Sequence, residues 1–163
     1  MYYFAYGSNM SLARLKQRAP SAKRYGCFKL VGYSLRFHKV GQDKSGKCDA
    51  FYTANKSDYV LGVLFEIDEA DKIHLDKAEG LGFGYDEKQV TLLNDHNEKV
   101  QAVLYIATQI DIGLLPYSWY KNHVLIGAIE SSLPKEYIDR IKSVESLDDL
   151  DKNRDALQRA IHN

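Results

Sequence analysis

The chain opens with MYYFAYGSN, an aromatic-rich alternation that runs to Tyr6 and is broken by Gly7-Ser8-Asn9. A short run of this kind, bounded by glycine, predicts a strand over residues 2–6. Ser11 is placed to cap a helix carrying Leu12 and Leu15 to about Arg18, with Pro20 as its stop. Residues 24–40 read as one long or two short strands, with Phe28, Leu30, Leu35 and Phe37 as core candidates. A polar loop over 41–47 and strands over 50–54 and 59–67 follow. Asp68 can cap a helix running to about Glu79, after which Gly80-Leu81-Gly82-Phe83-Gly84 predicts a turn. Residues 85–93 and 99–107 alternate like strands around Asn94-Asp95-His96-Asn97, a hairpin signal. From Tyr117 the period turns helical. One helix is expected over 117–131, a second with Pro134 at its first position, and a third over 147–161.

Strands dominate the first two-thirds of the chain and helices the last third, with hairpin-type connections among the strands. The fold class expected is α+β: a small mixed, mostly antiparallel, barrel-like sheet with flanking helices. At 163 residues, with no repeat and no linker, the chain reads as a single domain over 1–163. Its 22 basic and 22 acidic residues cancel, so no basic surplus argues for nucleic acid and no polybasic block for a membrane surface. No segment reaches 18 apolar residues, and no basic stretch followed by an apolar run opens the chain. Cys27 and Cys48 form neither a disulfide framework nor a zinc pattern, and the five histidines are scattered. A cytoplasmic protein without metal or organic cofactor is expected, and a homodimer is left open. The 12 tyrosines, apolar in body and polar at the tip, suit both a core and a ligand pocket.

Two motifs imitate nucleotide sites. Gly41-Gln42-Asp43-Lys44-Ser45-Gly46-Lys47-Cys48 nearly spells a phosphate-binding loop. It ends in cysteine where magnesium needs a hydroxyl, and strand-like Ala50-Phe51-Tyr52-Thr53 stands where a helix is required. Gly80, Gly82 and Gly84 imitate a dinucleotide fingerprint, but they follow a helix and precede a strand, the reverse of that fold. They read instead as a turn that lets a ligand approach the backbone.

Two other features carry chemistry. A turn that leaves a strand and enters a helix aims several backbone N–H groups one way and can hold an anion. In Tyr6-Gly7-Ser8-Asn9 the glycine permits unusual dihedrals, the two small polar residues can add hydrogen bonds, and no acid lies between Gly7 and Ala19 to compete. A capped turn with no ligand is the alternative. Glu79 ends its helix against the negative pole of the dipole, which disfavours its charge and suits a group that takes and returns a proton. A solvated helix-end glutamate is the alternative.

Tyr3-Phe4-Ala5-Tyr6-Gly7-Ser8-Asn9-Met10 together with Leu75-Asp76-Lys77-Ala78-Glu79-Gly80 resembles the γ-glutamylcyclotransferase family. Tyr85 follows at the expected distance, and the likeness extends through Tyr105 and residues 116–128. The resemblance implies a barrel-like β structure with flanking helices, and a cofactor-independent enzyme that cyclises a γ-glutamyl group to 5-oxoproline and releases the attached amine. It implies that Glu79 is the acid/base, that Tyr6, Gly7, Ser8, Asn9 and Met10 line the glutamyl moiety, and that Tyr85, Tyr105 and Tyr120 wall the pocket. The partner implied is a small γ-glutamyl molecule. Relatives take γ-glutamyl amino acids, γ-glutamyl-lysine isopeptides or an acylated aminoglycoside, so the leaving amine stays open. A non-catalytic relative that binds such ligands is the alternative function, and a nucleotide binder the remoter one.

Overall fold

The computed structural model describes residues 1–163. Strand β1 (Tyr2–Ala5) leads through a one-turn 3-10 segment (Ser8–Met10) into α1 (Leu12–Lys16). Then come β2 (Lys23–Val31), β3 (Tyr33–Val40), β4 (Gly46–Tyr52), β5 (Tyr59–Glu66), α2 (Glu69–Glu79) and the hairpin β6 (Tyr85–Leu93) and β7 (Lys99–Ala107). Helices α3 (Ser118–Glu130), α4 (Lys135–Ser143) and α5 (Lys152–Ala160) complete the chain.

Five strands close a barrel in the order β1-β5-β2-β6-β7. Every pairing is antiparallel except the closing one, where β1 meets β7 in parallel at Tyr3↔Val103. The α+β, mostly antiparallel barrel expected from the strand pattern is the fold observed. Strand β5 has partners on both sides and reads as a nearly continuous apolar run, with Val60, Val63, Leu64 and Phe65 buried. Phe4, Phe65, Leu64, Leu92 and Leu104 are fully buried. Burial of a side chain of this size contributes about 1.5–3 kcal/mol.

The other two strands leave the barrel. β3 and β4 pair only with each other, as a separate ribbon. The departure point is Gly32, held at φ +87 between β2 and β3, with its N–H bonded to Asp58 O and its carbonyl to Thr53 N. A left-handed residue there turns the chain out of the barrel, so 24–40 is two strands and not one. β4 also starts earlier than the expected residue 50. Gly46 and Lys47 already pair with Val40 and Lys39, and only 41–45 remain as loop.

Among the helices, Ser11 caps α1 as expected, its side chain accepting from Arg14 N. Pro134 sits one position before its helix instead of at its first position. The last helix is shorter than the expected 147–161 because residues 147–151 do other work. The Asp149 carboxylate accepts from Trp119 Nε1 and from both arms of Arg154, and Asp151 caps α5 through Arg154 N. No helix is long and apolar enough to cross a membrane.

Candidate active site

The parallel closure of the barrel decides where the site lies. Because β1 and β7 run the same way, their C-terminal ends share a rim, and antiparallel β6 starts there too, with Tyr85 opposite Ala107. The Gly7–Asn9 loop, Tyr85 and Tyr105 therefore converge on one end of the barrel. The ribbon contributes Cys48, α2 contributes Glu79 and α3 contributes Tyr120, and together with Tyr3 and Tyr6 they line a cleft of about 290 Å³.

Glu79 is its only lining carboxylate. α2 delivers it at the last helical position, immediately before Gly80, which closes the helix at φ +69 with Gly80 N bonded to Lys77 O and Leu81 N to Asp76 O. This is the helix-ending pair of bonds that a left-handed residue makes possible. A Cβ on Gly80 or Gly82 would meet nothing within 4 Å. Both glycines hold a positive φ, which serves the backbone path, and Gly80 borders the open space in front of Glu79.

The Glu79 side chain is only 13% exposed, so it is no solvated helix-end glutamate. Asn9 Nδ2 donates to its Oε1 at 2.7 Å and Arg18 at 3.0 Å. Arg18 also donates to Asn9 Oδ1, and Asn9 Nδ2 reaches Tyr3 Oη at 3.0 Å, which closes a small polar network. Both contacts to the carboxylate fall on Oε1, and Oε2 has no partner. The helix dipole therefore does not act on Glu79 alone, since a guanidinium stands against it.

The opening loop supplies the second half of the site. The N–H groups of Gly7, Ser8 and Asn9 donate to no protein acceptor, whereas Met10 N and Ser11 N close the 3-10 turn onto Gly7 O and Ser8 O. Three unspent donors beside a half-buried carboxylate can hold an anionic oxygen. Gly7 itself has φ −115, outside the left-handed region. What excludes a side chain is space, because a Cβ there would lie 2.8 Å from Cys48 Cβ.

The tyrosines form fixed walls. Tyr6 donates to Tyr105 O and Tyr85 to Cys48 O, while Tyr120 Oη accepts from Cys48 N at 2.9 Å. Tyr105 is anchored by its hydroxyl to Asp76, one turn before Glu79. Burial pushes the phenols of Tyr3, Tyr6, Tyr85 and Tyr120 well up and the Cys48 thiol up to about 12. A thiol held in its neutral form is a poor nucleophile. No cluster of three or more His, Cys, Asp or Glu side chains is placed to hold a metal.

Of the expected residues, Glu79, Tyr6, Gly7, Ser8, Asn9, Tyr85, Tyr105 and Tyr120 all line this cleft. Met10 does not. Its side chain is fully buried and packs where α3 presents Gly127, at which a Cβ would come within 2.5 Å of it. Tyr3, Cys48 and Arg18 were not foreseen. Tyr3 shares the opening strand, but nothing local ties Cys48 or Arg18 to a glutamate more than 30 positions away. The loop imitating a phosphate site is spent on itself. Asp43 accepts from Ser45 N, Ser45 Oγ and Lys47 Nζ, and β4 follows it where a helix would be needed.

Comparison with known proteins places this architecture. The model of the AIG2-like family matches residues 59–141, half of the chain. The gamma-glutamylcyclotransferase of Bos taurus is 30% identical over 151 residues, which is 90% of this chain and 79% of the relative. A solved gamma-glutamyl cyclotransferase superposes with a TM-score of 0.86 at 25% identity, covering 98% of each chain. The crystal structure of an uncharacterised Homo sapiens protein superposes with 0.88 at 27% identity, covering 99% of this chain and 98% of that one.

Proposed function

This chain belongs to the γ-glutamylcyclotransferase family of AIG2-like proteins, and we propose that it cyclises a γ-glutamyl group to 5-oxoproline and releases the attached amine with Glu79 as the acid/base. The observation that carries the assignment of Glu79 is its carboxylate, half-buried beside the unspent N–H groups of residues 7–9, with one oxygen pinned by Asn9 and Arg18 and the other free.

The substrate's α-ammonium loses a proton to Glu79 Oε2. The freed nitrogen attacks the γ-carbonyl carbon and closes a five-membered ring, and negative charge moves to the carbonyl oxygen. As that intermediate collapses, Glu79 gives its proton to the leaving nitrogen, whose bond to carbon breaks, and the carboxylate then takes the second proton from the ring nitrogen, which leaves the neutral lactam. The attack is intramolecular, so much of the acceleration comes from holding the chain folded. The tyrosine rings suit that task, because their hydroxyls are tied to backbone or to Asp76 and their faces cannot swing. The N–H groups of residues 7–9 receive the α-carboxylate or the developing oxyanion.

A paired assay tests the reading. γ-Glu-Ala should yield 5-oxoproline and alanine, and α-Glu-Ala should yield neither, since its five-membered ring cannot close onto the amide being cleaved. Equal alanine release from both would mark an ordinary peptidase. Ligand binding without turnover across a panel of γ-glutamyl amines would mark a binding protein.

A further inference from the structure

The inner cleft opens into a wider vestibule, of about 1,230 Å³, that shares Ser8, Glu79, Tyr85 and Tyr120 with it. Five cations line this vestibule against two carboxylates, Asp43 and Glu79. Three of the cations are accounted for. Arg18 is spent on Glu79, Lys47 on Asp43 and Arg154 on Asp149. Arg14 and Lys39 have no carboxylate, although each is only 7% exposed.

Lys39 owes its position to an extra residue in β3. Between Arg36 and Lys39 the ribbon register shifts, with Arg36 opposite Asp49 but Lys39 opposite Lys47. The bulge breaks the alternation and buries two successive side chains, His38 and Lys39. His38 is satisfied by Asp49 at 2.8 Å. The Lys39 ammonium forms no hydrogen bond and no ion pair, and rests 4.4 Å from the centre of the Tyr85 ring, which walls the inner cleft. The room it occupies exists because residue 84 lacks a side chain; a Cβ there would stand 2.8 Å from Nζ. Arg14 sits deeper. Its one partner is the neutral Gln158 Oε1, and its Nε is shut from water with no acceptor. It supplies positive potential, and Lys39 supplies the donor.

The lysine stem is buried while its ammonium faces the open vestibule, so this cation has no protein acceptor and is free to take an anion that enters there. Burial pushes the Lys39 ammonium down from its usual value, against a smaller upward pull from the Glu79 and Asp43 carboxylates across the vestibule. Neither vestibule acid can fill the role, since Asp43 already accepts from Lys47 and Ser45 and Glu79 from Arg18 and Asn9.

Building on the cyclotransferase reading, we propose that Lys39 is a specificity-determining residue that receives an anion carried by the leaving amine, so that carboxylate-bearing γ-glutamyl amino acids are preferred over γ-glutamyl amines of the same length that lack the charge. The glutamyl end lies against Glu79 and the opening loop, and the leaving group extends past Tyr85 to the ammonium. This adds a charge requirement to what aromatic walls by themselves would impose.

The test pairs γ-Glu-Ala with γ-glutamylethylamide, which differs only by the carboxylate. The wild-type protein should favour γ-Glu-Ala by about 10- to 100-fold in kcat/KM, the range of a hydrogen bond to a charged group. Lys39→Met, which fills the same buried space, should bring that ratio close to one, and Lys39→Arg should restore most of it. A wild-type ratio near one overturns the proposal without needing any variant, as does a ratio that Lys39→Met leaves intact. Calorimetric binding of the same two compounds separates this inference from the reading beneath it. Preferential binding of γ-Glu-Ala without 5-oxoproline release would sink the cyclotransferase and leave the anion site standing. Equal binding with release from both compounds would do the reverse.

Discussion

Two tyrosine-rich hollows lie against this barrel, and they differ in how their polar groups are set. The groove between the ribbon and α4 is walled by Tyr33, Phe37, Tyr59 and Tyr137, and the cleft at the barrel rim by Tyr3, Tyr6, Tyr85, Tyr105 and Tyr120. Both are rich in tyrosine. In the groove the polar groups are occupied or unsupported. The Tyr137 hydroxyl bonds Leu61 N and O, Arg140 lies over the Tyr59 and Tyr137 rings, and Asp58 is held by no side chain. In the cleft a carboxylate is pinned on one oxygen and free on the other, beside three unspent N–H groups. The difference teaches that aromatic walls alone do not make a reaction site, which needs polar groups left free to meet a substrate.

The sharpest way to break that comparison is Glu79→Gln. The amide keeps the shape and accepts from Arg18, but it cannot take a proton. Activity in 5-oxoproline release should fall at least about a hundredfold, the low end for general acid–base catalysis, with folding by circular dichroism unchanged. Near-wild-type turnover would remove Glu79 from the reaction and level the two hollows.

Gly7→Ala probes the loop. A Cβ placed 2.8 Å from Cys48 Cβ overpacks the junction of β1 and β4 and should cost about 1–3 kcal/mol in urea unfolding, with loss of turnover as the loop shifts. If the crowding is the cause, Gly7→Ala and Cys48→Gly should couple, so that the second change recovers stability in the presence of the first. Additive losses would return Gly7 to a role in ligand approach.

The smallest effect is expected in the groove. Tyr137→Phe removes the hydroxyl from Leu61 and should lower stability by about 1 kcal/mol, with kcat/KM for γ-Glu-Ala unchanged. A loss of turnover comparable to that of Glu79→Gln would give the groove a part in the reaction.

Much of the fold was legible locally, and the reasons differ by element. The hairpin β6–β7 matches its expected bounds because period-two alternation and an Asn-rich turn are properties of adjacent residues. The last helix was overestimated because helical periodicity continues through Leu147 and Asp149, while tertiary partners, Pro116 O and Trp119, hold those residues out of it. At the site, the Gly7–Asn9 loop and Glu79 could be picked out, since a glycine break after a strand and an acid at a helix end are each local anomalies. Met10 was misplaced because adjacency in the chain says nothing about which way a side chain points in a 3-10 turn.

The order of strands and helices, the capped start of α1, the end of α2 at Gly80 and the two chemical oddities were determined by the sequence itself, through periods, caps and glycines that act over a few residues. Tertiary structure alone decided that β3 and β4 leave the barrel, that Asn9 and Arg18 meet Glu79 across 70 and 61 positions, and that a one-residue bulge buries Lys39 unpaired beside Tyr85. Such contacts depend on strand register and barrel closure. A slip of one residue would reverse every side chain concerned while leaving the local pattern untouched.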